Sequence, residues 1–187
     1  MNLFMRVAFL LLITNCVYSQ TRFHPEKSAM KLSGTSSLHD WESVVMMDQM
    51  DVELHIEDAD PLLLGHLRLK IPVKSIKSGK SIMDKKTYSA LKSEEFPFIS
   101  YEVEVFDYNN GEVIASDGKL KVAGEERAVP VTAVYDKKNT TRLMTFQGSV
   151  SFNMTDFSIE PPTAMLGTLK TGDEITITYN ITVEFNL

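Results

Sequence analysis

ITITYNITVEF, residues 175–185, places Ile175, Ile177, Tyr179, Ile181, Val183 and Phe185 on one side. Thr176, Thr178, Asn180, Thr182 and Glu184 fall on the other. Successive side chains of a strand point to opposite faces, so this run is dry on one face and wet on the other. That is the look of an antiparallel sheet with one side buried. The same period of two returns upstream. Met144, Phe146, Gly148, Val150, Phe152 and Met154 alternate with polar residues. So do Ile99, Tyr101, Val103 and Val105, then Leu63, Gly65, Leu67, Leu69 and Ile71, and Val52, Leu54 and Ile56. Shorter stretches at 30–33, 41–47, 118–123 and 129–135 fit the scheme. Between them lie turn-forming residues: Asp60-Pro61, Asn109-Asn110-Gly111, residues 136–139 and Gly172-Asp173.

Two segments depart from this pattern. Ser81–Lys92 predicts one short helix, with Ser81 as cap, Asp84 reaching back to it, and Ile82, Met83, Tyr88 and Leu91 as its apolar face. SIEPPTAMLGTLKTGDEI, residues 158–175, has two prolines, two glycines and no alternation. Irregular joins this long are more often lids or binding loops than plain connections. Met165 and Leu166 give it an apolar tip, which reads either as a lid over a mouth or as a plug in a barrel end.

About eight strands and one helix make the chain all-β. Either two sheets pack as a sandwich, or one antiparallel sheet closes into a barrel whose dry face points inward. An eight-stranded barrel is filled by side chains or holds one small ligand. The inward positions contain many Leu, Ile, Val, Phe and Met and no charge, so any cavity is greasy.

The opening MNLFMRVAFLLLITNCVYSQ has Arg6 ahead of the apolar run Val7–Ile13, too short to span a bilayer. It reads as a signal peptide, residues 1–19, cut before Gln20, which places the protein in the periplasm or outside the cell. A lipoprotein processed at Cys16 is the weaker alternative, because Asn15 stands where a small residue is wanted. The mature chain, residues 20–187, is a single domain without cysteine, held by its core alone. Its 18 basic and 25 acidic residues leave a net charge of −7, which argues against nucleic acid and anionic membrane surfaces as partners. The basic residues between Lys74 and Lys86 read as a solvated face.

SGTSSLHDWE (33–42), IPVKSIKSG (71–79), MDKKTYSALK (83–92), FPFISYEV (96–103) and DGKLKVAGEERAVPVTAVY (117–135) together resemble the YceI family in order and spacing. The closing segment around 156–175 is similar to that of many members. The resemblance implies an extended, antiparallel, eight-stranded lipocalin-like barrel spanning residues 20–187. It also implies an elongated apolar ligand along the barrel axis: a polyisoprenoid, a quinone tail or a fatty acyl chain. Where many members carry a histidine-rich pattern, only His39 stands here.

The candidate ligand-binding residues are therefore the inward Leu67, Leu69, Tyr101, Val103, Phe146, Val150, Phe152, Ile177, Tyr179 and Ile181, with Met165 and Leu166 at the tip and His39 and Trp41 near the first hairpin. Trp41 reads as a hairpin corner with its ring in the core, or as the wall of a mouth in which His39 meets a head group. No metal site is expected, because His24, His39, His55 and His66 lack ligand spacing with a third group. No cofactor is expected beyond a bound isoprenoid or fatty-acid-like lipid. No nucleophile elbow, zinc-protease motif, phosphate loop or mature thiol is present, so no catalytic residue is assigned and the chain is not expected to be an enzyme. The partner expected is an apolar small molecule, with no stable membrane insertion. A homodimer is left open.

Overall fold

The structure, a computed structural model, describes residues 19–56, 64–104, 107–109, 112–115, 117–137, 143–164 and 168–185. It is all-β with one helix, and its strands form eight antiparallel staves. The first comprises β1 (Ser19–Phe23) and β2 (Ala29–Ser36). The second is β3 (Trp41–Val45) with β4 (Asp51–Ile56), and the third β5 (Leu64–Pro72) with β6 (Ile76–Lys77). The fourth is β7 (Phe98–Val103) with β8 (Asp107–Asn109), and the fifth β9 (Glu112–Ala115) with β10 (Lys119–Val122). The sixth is β11 (Glu125–Ala128) with β12 (Val131–Lys137). The seventh is β13 (Leu143–Asn153). A two-residue strand β14 (Thr163–Ala164) precedes the eighth stave, β15 (Leu169–Phe185).

Taken as separate strands, the hydrogen-bonded path is open, from β11 to β8. Followed along the staves, it returns on itself. Glu102 faces Lys119 and Asp107 faces Ile114, so five steps along the fourth stave match five steps back along the fifth, and β7–β10 and β8–β9 are one hairpin. The fifth stave pairs with the sixth through β10–β11 and β9–β12. The eighth pairs with the seventh along β13 and with the first through both β1 and β2. Each stave thus meets the next, and the last meets the first, as an up-and-down barrel requires.

Single 3₁₀ turns interrupt the first three staves: Pro25–Lys27, Met47–Gln49 and Val73–Ser75. The second of these buries Met47 and Met50 together, which a continued strand would not do. The helix α1 runs over Ser81–Ala90, two residues shorter than predicted. Its cap also differs. Lys80 is the cap residue, and Asp84 turns instead to accept bonds from Ser78 N (2.8 Å) and Oγ (2.5 Å). Ile82, assigned to the apolar face, is 74% exposed. Tyr88 pins the helix to the third stave, with its Oη 2.9 Å from the Ile76 carbonyl and accepting from Lys77 Nζ at 2.7 Å.

The irregular segment 158–175 is more ordered than its composition suggests. A 3₁₀ turn, Met154–Phe157, carries a capping box between Asn153 and Asp156. β14 folds back onto Leu169–Lys170, and β15 runs on with a bulge between Thr171 and Ile175. Gly172-Asp173, expected as a turn, belongs to that strand. Met165 and Leu166 lie outside the described residues, as do residues 1–18 of the predicted signal.

Candidate functional site

The inward faces of the staves enclose a lumen with two connected chambers. The inner chamber, about 150 Å³, brings together most of the predicted site. Leu67 and Leu69 come from the third stave and Tyr101 from the fourth. Phe146, Val150 and Phe152 come from the seventh stave, and Ile177, Tyr179 and Ile181 from the eighth. Val103 is the exception. It is 2% exposed and packed among Tyr101, Ala115 and Leu120 in the core, and it lines neither chamber.

The polar atoms of the inner wall are the hydroxyls of Tyr101 and Tyr179, and both are already bonded. Tyr101 leans from the fourth stave across Gly118 and donates to the Val129 carbonyl at 3.2 Å. Tyr179 leans from the eighth stave across Gly148 and donates to the Thr132 carbonyl at 2.6 Å. Both bonds land on the sixth stave, either side of Pro130. Burial pushes the Tyr179 phenol up to about 12 and raises Tyr101 further, with the nearby Tyr179 and Asp117 adding to the shift. These rings work as neutral donors, and the surface they offer a ligand is apolar.

The outer chamber, about 240 Å³, is the mouth. It shares Leu32, Ile76, Ile99, Leu120, Phe152 and Ile177 with the inner chamber, so the two are continuous. The helix supplies Met83, Thr87, Ala90 and Leu91 at spacings of four, seven and eight, which is one face. The closing segment supplies Ile159, Pro162 and Thr163, so its first part forms the rim. Phe157, 1% exposed and edge-on to Phe152 at 5.1 Å, anchors that rim to the core. Lys86 Nζ donates to the Thr163 carbonyl and ties helix to rim.

His39 and Trp41 both line this mouth. Trp41 does not sit in the core as a corner residue would. Its ring packs over Gly34, and its Nε1 donates to the Thr35 carbonyl at 3.1 Å. The sequence pattern missed Ser43, which follows Trp41 by two and faces inward with it. It also missed Lys86 and Thr87, and in the closing segment, read as a lid or plug, it assigned the site to Met165 and Leu166 rather than to Ile159, Pro162 and Thr163, whose placement depends on how the segment folds over the barrel end.

Elsewhere the histidines are engaged locally. His24 lies 2.8 Å from Glu26 and 3.1 Å from Glu184 through its two ring nitrogens. His55 and His66 face each other across the second and third staves, ring centres 6.3 Å apart. No group of three potential metal ligands occurs among the described residues.

A family model described as the YceI-like domain matches residues 22–183. Several solved structures share the shape. BcnA of Burkholderia cenocepacia superposes with a TM-score of 0.71 at 13% identity, covering 86% of this chain and 99% of that one. A polyisoprenoid binding domain from Saccharophagus degradans, implicated in plant cell wall breakdown, gives 0.64 at 12% identity, covering 90% and 98%. The Campylobacter jejuni YceI protein gives 0.60 at 14%, covering 74% and 81%. At these identities the likeness shows the fold. No curated relative matches the sequence. The family match spans nearly the whole described barrel, and the chain belongs to the YceI-like family.

Proposed function

We propose that the protein is an exported, non-catalytic carrier that holds an elongated apolar ligand in its lumen for transport or storage. The ligand class is a polyisoprenoid, a quinone tail or a fatty acyl chain. One observation carries this reading: the inner chamber has no polar group left unbonded on its wall, yet it opens continuously into a mouth. Burying an apolar chain there contributes about 25 cal/mol per Å² removed from water. The family of the chain and the polyisoprenoid-binding neighbour support the same class. Export rests on the opening apolar run, and no helix among the described residues is long and apolar enough to cross a membrane.

The test is native mass spectrometry of the protein recovered from its exported fraction, followed by solvent extraction. The expected result is a chain starting at Gln20 with a bound lipid of defined mass. At a ligand concentration a hundredfold above Kd, the loaded form is stabilised by about 2.7 kcal/mol, visible as a raised Tm. A bare chain that takes up neither prenyl nor acyl ligands overturns the proposal.

A further inference from the structure

The outside of the mouth carries side chains that its interior does not use. Leu38 stands on the turn between β2 and β3, beside His39, and is 67% exposed. Ile82 stands in the first turn of α1, beside Met83, and is 74% exposed. These are the two most exposed large apolar side chains among the described residues, and neither lines the lumen. A chain of contacts sets them on one rim. Ser37, next to Leu38, donates from its N to the Lys170 carbonyl at 2.9 Å and accepts from Lys170 N through its Oγ at 3.0 Å. Lys170 pairs with Thr163, whose carbonyl accepts from Lys86 Nζ. Lys86 follows Ile82 by four residues, one helical turn. Single exposed aliphatics on a surface need no explanation. Two of them flanking the opening of an apolar lumen do.

The charge around them is one-sided. Lys80, Lys85, Lys86 and Lys170 surround this rim, and none of them pairs with a carboxylate among the described residues. Lys31, Arg68, Lys74 and Arg127 elsewhere do. Asp84, the one acid of the helix, is turned back to Ser78. Asp40 and Glu160, the acids next to His39 and Ile159, are outnumbered by the four lysines. The whole chain is acidic, so this attraction is local. Apolar side chains beside lysines suit the boundary of an anionic bilayer, where the chains sink below the head groups and the ammonium groups stay at the phosphates. A second copy fits less well, because a two-fold contact through this face would set four lysines against four.

We propose that the rim of the mouth is a docking surface for an anionic lipid bilayer. Leu38 and Ile82 enter the head-group boundary, Lys80, Lys85, Lys86 and Lys170 lie against the phosphates, and the lumen opens onto the lipid. The docking is peripheral and reversible. As a place of exchange it rests on the carrier reading, and it lets an apolar chain pass between bilayer and lumen without crossing water.

The experiment uses delipidated protein and vesicles of phosphatidylglycerol, with phosphatidylcholine vesicles as the uncharged control. The protein should sediment with the anionic vesicles several-fold more strongly than with the control, and less as salt rises. The double substitution Leu38→Asp and Ile82→Asp should weaken this about tenfold. Val134→Asp, at an aliphatic 48% exposed on the side wall, should leave it unchanged. Trp41, the one tryptophan of the chain, lines the mouth and reports uptake of farnesol by fluorescence. Transfer of farnesol from anionic vesicles should slow about tenfold in the double variant, while its affinity for farnesol added in solution stays the same. No sedimentation of the wild type, or equal sedimentation of the double variant, overturns the docking surface and leaves the carrier standing. A dimer in analytical ultracentrifugation that the double variant dissolves, without vesicle binding, gives the face to a second copy and overturns the bilayer. Sedimentation as expected, with no uptake of farnesol or palmitate by either route, overturns the carrier reading and the exchange role with it.

Discussion

Gly118 and Gly148 are bare because tyrosines lie across them. A Cβ on Gly118 would fall 1.8 Å from Tyr101 Oη, and one on Gly148 would fall 2.4 Å from the Thr132 carbonyl oxygen. Alanine at either position must displace a ring that already has its bond, or the backbone it bonds to. We expect each substitution to cost about 1–3 kcal/mol by overpacking, read from the denaturant midpoint. Of the two, Gly148→Ala should be the harder to accommodate, since its nearest obstacle is backbone. The same tyrosines set an alkaline limit. The Tyr179 phenol titrates near 12 when folded and near its ordinary value of 10.0 when unfolded. Its contribution to stability is therefore complete below pH 10 and lost as pH rises towards 12. Equilibrium unfolding across that range should show a fall that is smaller in Tyr179→Phe, and an equal fall in the variant would refute the assignment. Both residues were legible as inward from the period of two. Their acceptors were not, because they lie 28 and 47 residues away along the chain.

The elements that bound the mouth show where sequence pattern runs out. The rim begins at the Met154–Phe157 turn, whose Asn153–Asp156 box is reinforced by Asp173 accepting from Thr155 N at 3.0 Å. Asn153→Ala should cost about 1 kcal/mol and loosen the rim, detected as faster amide exchange at Thr155–Ile159 with little change in the inner strands. The turn residues 158–175 were legible as a break but not as a hairpin, since β14 is too short to show a period. Ser43 was hidden for a different reason. Val44–Met47 is apolar at every position, which hides the alternation that buries Ser43, Val45 and Met47 and exposes Val44 and Met46, and the 3₁₀ turn after β3 then shifts the phase so that Met50 is buried too. The helix was legible in extent. Its buried face was legible only in part: Met83 and Leu91 line the mouth, but Thr87 and Ala90 beside them are weakly apolar and Ile82 is exposed. Only the barrel end against which the helix docks selects that face.

At the scale of the whole molecule, an antiparallel all-β chain was legible as runs of alternating residues, and closure into a barrel rather than a sandwich was not, since no local pattern says that Thr21 pairs with Phe185. That pairing has a consequence in time. Contacts between residues so far apart must wait for the chain between them to be brought together, which is slow compared with local contacts. Refolding from denaturant should be single-exponential in milliseconds to seconds, and a chain lacking residues 169–185 should stay unfolded, by circular dichroism, at every temperature. β15 comes after every other strand in the chain, yet it is the partner of both the first stave and the seventh. During synthesis, then, seven staves' worth of alternating apolar residues emerge with no ring to turn them inward. Until residue 185 has cleared the ribosome, the chain is a client of whatever holds unfolded polypeptides.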